Sequence, residues 1–156
     1  MKIVLIGDGK VGYTLIQALS AEGHDIVVID NDRSVLDQTI DTLDVMCVEG
    51  NGASTVIQRQ AGVGTSELMI AVTSSDELNL MCCMVAKKLG CRRTIARIRN
   101  PEYTESAYLM RDELGLSMTV NPEREAATEI FRLLQFPSFL KRDSFAKGRA
   151  EIVELP

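Results

Sequence analysis

The run Gly7-Asp8-Gly9-Lys10-Val11-Gly12 stands directly between the apolar segment KIVLI (2–6) and a stretch of helical periodicity that reaches about Ala21. Three glycines at this spacing, in this setting, constrain the chain more than any other feature of it. The first permits a tight turn, the second lets the backbone approach a pyrophosphate, and the third lets helix and strand pack closely. The helix that follows offers unpaired amides and a partial positive charge to an anion. A strand, a turn and a helix that open onto phosphate groups are therefore expected at the start.

The pattern continues. DIVVID (25–30), a helix-like stretch from Arg33 and DVMCVE (44–49) complete a βαβαβ unit. Further strands are expected at LMIAVT (68–73), TIARI (94–98) and SMTV (117–120), each separated by helical periodicity. Strands buried on both faces read as continuous apolar runs, and these do. The expected fold is α/β, a Rossmann-like doubly wound, mainly parallel sheet with helices on both faces. In the helix after the fourth strand, Ser74 and Glu77 have capping-box spacing, Leu78, Met81, Cys82 and Val85 recur at helical intervals, and Gly90 supplies a left-handed stop. Met81 and Cys82 are thus expected in the core.

Asn121-Pro122 opens a last helix whose Ala127, Ile130, Phe131 and Leu134 form an apolar stripe ended by Pro137. The stripe can pack on its own sheet or on a second subunit. Residues 1–136 read as one domain, and 137–156 as a linker and the start of a further subdomain. There RAEIVEL alternates like a strand with no partner strand after it.

About twenty residues beyond the glycine turn, at the end of the second strand, Asp30 stands where a carboxylate accepts both ribose hydroxyls of an adenosine and repels a 2′-phosphate. NAD(H) is favoured over NADP. Asp32 reads as the N-cap of the next helix and Arg33 as a solvated helix residue. The ligand of an open α/β sheet lies outside the carboxyl ends of its strands, so Asn51, Gly52, Thr73, Ser74, Arg97 and Arg99 are the remaining candidates. Arg97, near the end of an apolar strand, needs a partner that a phosphate or the Asp76 and Glu77 carboxylates can supply.

Composition narrows the function. The 156 residues are 46% hydrophobic and 25% charged, as in an ordinary soluble domain. No apolar run approaches the ~20 residues of a membrane span, and the first residues read as a strand, not a signal peptide. A formal charge of −5 with scattered Lys and Arg argues against nucleic acid. The 4 cysteines lack C-x-x-C spacing and have one histidine to assist them, so they read as reduced cytoplasmic thiols and no metal site is expected. The alternative of an NAD-dependent dehydrogenase needs a group to take the alcohol proton. The sole histidine, His24, lies in the turn before the second strand, at the amino edge, where solvent exposure is expected. None of Tyr13, Tyr103 and Tyr108 has Lys four residues on.

GDGKVG, VVID, GNGAS, LMIAVTSSDELN and IARIRN together resemble the TrkA family, the nucleotide-binding regulatory subunits of Trk potassium transporters, which carry regulator-of-potassium-conductance (RCK, or KTN) domains. The likeness covers about residues 1–140 and the family's first half; its C-terminal ligand subdomain and the second tandem copy found in TrkA have no counterpart here. The resemblance implies that NAD(H), or ATP or ADP in the same site, meets Gly7, Asp8, Gly9, Lys10, Val11, Asp30, Thr73, Ser74 and Arg97. It implies a non-enzymatic regulator that changes shape with its nucleotide and gates a TrkH/TrkG-like membrane subunit from the cytoplasmic side. It also implies a homo-oligomer, dimer or tetramer, joined through the sheet edge and a C-terminal crossover helix.

Overall fold

The computed structural model describes residues 1–135, 141–145 and 150–154. Residues Met1–Asn121 form one compact unit and those from Pro122 a second. In the first, β1 (Lys2–Ile6), α1 (Lys10–Ala21), β2 (Asp25–Asp30), α2 (Arg33–Thr42) and β3 (Met46–Glu49) follow one another, then α3 (Thr55–Gln60) and β4 (Leu68–Ala71). The helix α4 (Asp76–Leu89), β5 (Arg93–Arg97), α5 (Pro101–Leu109) and β6 (Met118–Val120) complete it. The six strands are parallel in the order β3-β2-β1-β4-β5-β6. The chain winds outward from β1 to β3 and then returns to the far side of β1. The order therefore reverses between β1 and β4, the position where such sheets open a crevice.

Side chains alternate across the sheet as the pleat requires. Ile3, Leu5, Ile26 and Val28 face Ile16 of α1 and Leu36 of α2. Val4, Ile6, Val27, Ile29 and Met69 face Cys82, Cys83 and Ala86 of α4. Both faces of the central strands β1, β2 and β4 are covered, which is why these read as near-continuous apolar runs.

Local signals set most helix ends. Asp32 caps α2, its carboxylate accepting from the Ser34 amide, and Gly90 ends α4 in the left-handed region at φ 107°. The start of α4 differs from expectation. Ser75, not Ser74, is the N-cap, and its hydroxyl accepts from the Leu78 amide at 3.1 Å. Thr73 is tied back to Asn79, which keeps the turn extended for one more residue before the helix begins. Asn79, Cys82, Cys83 and Ala86 then face inward, and Met81, off that stripe, is 51% exposed instead of buried. Burial pushes the Cys82 and Cys83 thiols up to about 12, so both stay protonated at neutral pH. His24 is more covered than expected, with its side chain 20% exposed and Nε2 3.4 Å from Glu22 Oε2.

In the second unit, α6 spans Pro122–Gln135, and Ile130, Phe131 and Leu134 are exposed. The segment expected to alternate as a strand forms β8 (Ala150–Glu154) and pairs antiparallel with β7 (Lys141–Phe145), which precedes it. The expected stop at Pro137 lies outside the described residues.

Candidate functional site

The crevice is built at the carboxyl ends of β1 and β4. Gly7, at φ 100°, turns the chain out of β1 against the segment after β4, and a Cβ placed on it would lie 2.8 Å from the Thr73 nitrogen. Gly12 sits under that turn, where a Cβ would meet the Gly7 oxygen at 1.9 Å. Gly9 is different. It caps α1 from ordinary extended backbone, and a Cβ on it would meet nothing within 4 Å. Side chains cap α2, α4 and α5, whereas α1 starts on this glycine with no acidic residue in its first turn. The amide end of α1 thus faces open space, the arrangement an anion requires. Lys10 is exposed at the same end, and Val11 is half-buried against the α1 side of the core, which leaves its amide rather than its side chain for a ligand.

Asp30 ends β2 beside this turn. Its Oδ2 accepts from the Asp8 amide at 2.7 Å and its Oδ1 from the Asp32 amide at 2.9 Å. The Asp8 side chain turns away and is buried, with Oδ2 accepting the Thr39 hydroxyl of α2 at 2.6 Å. Burial raises the Asp8 carboxyl above its ordinary value, the Thr39 bond opposes the rise and the Asp30 charge adds to it. A shallow groove of about 580 Å³ opens between α1 and α2 along Asp8, Lys10, Tyr13, Gln38 and Thr39. It lies beside the turn, and Asp30, Thr73, Ser74 and Arg97 do not line it.

On the other side of β1, Thr73 and Ser74 follow β4, and Arg97 ends β5 half-buried. The Thr73 hydroxyl donates to Asn79 Oδ1 at 2.7 Å, and Ser74 is exposed with its carbonyl accepting from the Arg99 guanidinium. The carboxylates considered for Arg97 have other partners. Asp76 Oδ2 accepts from the Arg99 and Asn100 amides at 2.8 Å each, and Arg99 Nε lies 3.7 Å from Asp76 Oδ1. Glu77 accepts from Ser75 and Tyr103 hydroxyls. Asn51 is exposed after β3, with Oδ1 accepting from the Ala53 amide, and its neighbour Gly50 donates to the Asp30 carbonyl. The fold thus brings the glycine turn, Asp30, Thr73, Ser74 and Arg97 to one edge, with Asn51 on its β3 flank. His24 is at the opposite edge, before β2. Sequence reasoning missed Thr39 and Asn79. Asn79 lay off the stripe expected from sequence, and only the observed inward face of Asn79, Cys82, Cys83 and Ala86 brings it to the site.

Among the described residues no helix is long and apolar enough to cross a membrane, and no group of acidic, Cys or His side chains is arranged to hold a metal. The chain is 36% identical over 155 residues to a Trk system potassium uptake protein TrkA homolog from Archaeoglobus fulgidus, with 99% of this chain and 35% of that protein covered. It therefore spans about a third of that relative's length. The crystal structure of the TrkA-N domain of inner membrane protein ybaL from Escherichia coli superposes with a TM-score of 0.74 at 27% identity, covering 85% of this chain and 96% of that one. The GsuK channel bound to NAD shares the fold at a TM-score of 0.65 and 22% identity, over 76% of this chain and 21% of the channel. The TrkA-N domain family matches residues 3–122, and the chain belongs to that family.

Proposed function

We propose that the chain is a nucleotide-sensing regulatory domain of a potassium-transport system, with NAD(H) as its principal ligand and ATP or ADP as alternative occupants of the same crevice. The observation that carries this reading is the 2.7 Å bond from the Asp8 amide to Asp30, which joins a ribose-type carboxylate to a glycine turn at an uncapped helix N-terminus. Gly7, Asp8, Gly9, Lys10, Val11 and Gly12 would take the pyrophosphate and Asp30 the adenosine ribose. Asn51, Thr73, Ser74 and Arg97 would line the remainder of the crevice. His24, the sole histidine, stands at the amino edge of the sheet, opposite the crevice, which favours sensing over a histidine-assisted hydride transfer.

In this reading residues 1–136 are the nucleotide domain, 137–156 lead into a further subdomain, and a membrane potassium-transport subunit is the partner on the cytoplasmic side. The exposed Ile130, Phe131 and Leu134 of α6 suit a crossover helix between copies of the chain. A nucleotide shifts a conformational equilibrium only through its differential affinity for the two states. The end where NADH and ATP diverge, near Arg97, is therefore where a gating signal would arise. Calorimetric titration of the purified chain with NAD, NADH, NADPH, ATP and ADP, followed by ATP against bound NADH, tests the reading. NADH binding with ATP as a competitor is expected. Simultaneous binding of both to one chain, or no adenine-nucleotide binding, overturns it.

A further inference from the structure

The ladder between β4 and β5 ends at the pair Ala71 and Ala96. The crevice residues Thr73 and Arg97 lie beyond it, and one side chain spans the gap. Asn79 is fully buried in α4, and its Nδ2 donates to the Arg97 carbonyl at 2.9 Å and to the Thr73 carbonyl at 3.3 Å. Its Oδ1 accepts from the Thr73 amide at 2.9 Å and from the Thr73 hydroxyl at 2.7 Å. A buried carboxamide is costly unless every polar atom is bonded, and here both ends are. Asn79 does not cap its helix, a task Ser75 performs. All four of its bonds go to the two strand ends.

We infer that Asn79 is a positioning residue for ligand recognition: its carboxamide acts as a last rung between β4 and β5 and sets the half of the crevice that lies beyond the glycine turn. The inference rests on the nucleotide reading above. The adenosine and first phosphate are assigned to Asp30 and the Gly7–Gly12 turn, on the β1 and β2 side, whereas the Asn79 side-chain bonds go to Thr73 and Arg97. The part of a dinucleotide beyond the pyrophosphate has to cross the reversal in strand order and lie over β4 and β5. Asn79 commits the Thr73 amide and hydroxyl internally, so Thr73 serves the ligand as part of the crevice wall rather than as a donor.

The consequence is a split between ligands. NADH reaches both halves, whereas AMP needs only the first. Calorimetry on the wild type and Asn79→Ala should show NADH weakened about tenfold, equivalent to roughly 1.4 kcal/mol, with AMP within about twofold. General loosening of the fold would weaken both alike. Thr73→Val removes the hydroxyl bond to Asn79 together with the longer contacts to the Ser75 backbone, leaves the Asn79–Arg97 bond, and should show the same split at smaller size, which provides the measurement if Asn79→Ala does not fold. In the Asn79→Ala background the added Thr73→Val change should cost less NADH affinity than it does in the wild type, since the Asn79 bond is shared between the two changes. Equal losses for NADH and AMP, or unchanged NADH, overturn the assignment of Asn79 while the wild-type titrations uphold nucleotide binding. A wild type that binds neither ligand overturns both.

Discussion

The Asp8 amide donates to the Asp30 carboxylate across 2.7 Å, so the residue assigned to the ribose also anchors the turn assigned to the pyrophosphate. A carboxylate has about four acceptor positions, and the Asp8 and Asp32 amides occupy two of them. The others remain for a pair of ribose hydroxyls. Asp30→Ala removes both functions together. NADH affinity should fall by roughly 1.5–3 kcal/mol, about tenfold to a hundredfold, with a lower Tm because the turn loses its anchor. Titration calorimetry and thermal unfolding of the same samples check it. Unchanged NADH affinity, or a wild type that prefers NADPH, would remove the ribose role from Asp30.

Asp8 yields a prediction with a pH sign. Burial raises its carboxyl above 3.8, against the pull of the Thr39 hydroxyl and with the Asp30 charge adding to the rise. A group whose folded-state pKa is raised binds its proton more tightly when folded. Its contribution to stability is full below 3.8 and is lost as pH climbs through the raised value. Asp8→Asn keeps an acceptor for Thr39 and carries no charge to bury. Its Tm should exceed that of the wild type at neutral pH, with the advantage shrinking on acidification from about pH 7 to pH 3. A constant difference across that range would mean that the Asp8 charge is not the cause. Removing a negative charge beside the phosphate turn should also tighten NADH.

The strand runs, the glycine turn, the Asp32 cap and the Gly90 stop were legible because each depends on a few adjacent residues and a fixed period. What escaped depends on contacts between distant segments. Thr39 is an ordinary polar position of α2 until the fold places it 2.6 Å from Asp8, and Asn79 lies off the expected Leu78–Met81–Cys82–Val85 stripe until α4 turns it inward against the ends of β4 and β5. The α4 cap falls on Ser75 although only Ser74 has a glutamate three residues on, because either serine can cap and the Thr73–Asn79 bonds hold the turn before it extended. β7 was missed because Lys141–Phe145 lacks an apolar alternation strong enough to announce a strand.

The three glycines of the turn can be separated by experiment because their surroundings differ. A methyl on Gly12 would meet the Gly7 oxygen at 1.9 Å, and one on Gly7 would meet the Thr73 nitrogen at 2.8 Å from a backbone at φ 100°. In both cases the obstacle is main chain, which cannot rotate away, so Gly12→Ala and Gly7→Ala should each cost at least about 1–3 kcal/mol of stability. Gly9 has φ −75° and open space around its missing Cβ. Gly9→Ala should therefore fold with a Tm close to the wild type, the gain from restricting the unfolded chain offsetting alanine's poorer fit at the α1 N-cap. Yet that open space is where the pyrophosphate is assigned, against the amides at the start of α1. The methyl should displace it and weaken NADH at least about tenfold, a loss in binding with none in stability. Thermal unfolding with and without NADH measures both in one experiment. If Gly9→Ala gains as much Tm from NADH as the wild type does, the pyrophosphate does not lie over this turn, and the assignment of Gly9 and Lys10 fails with it.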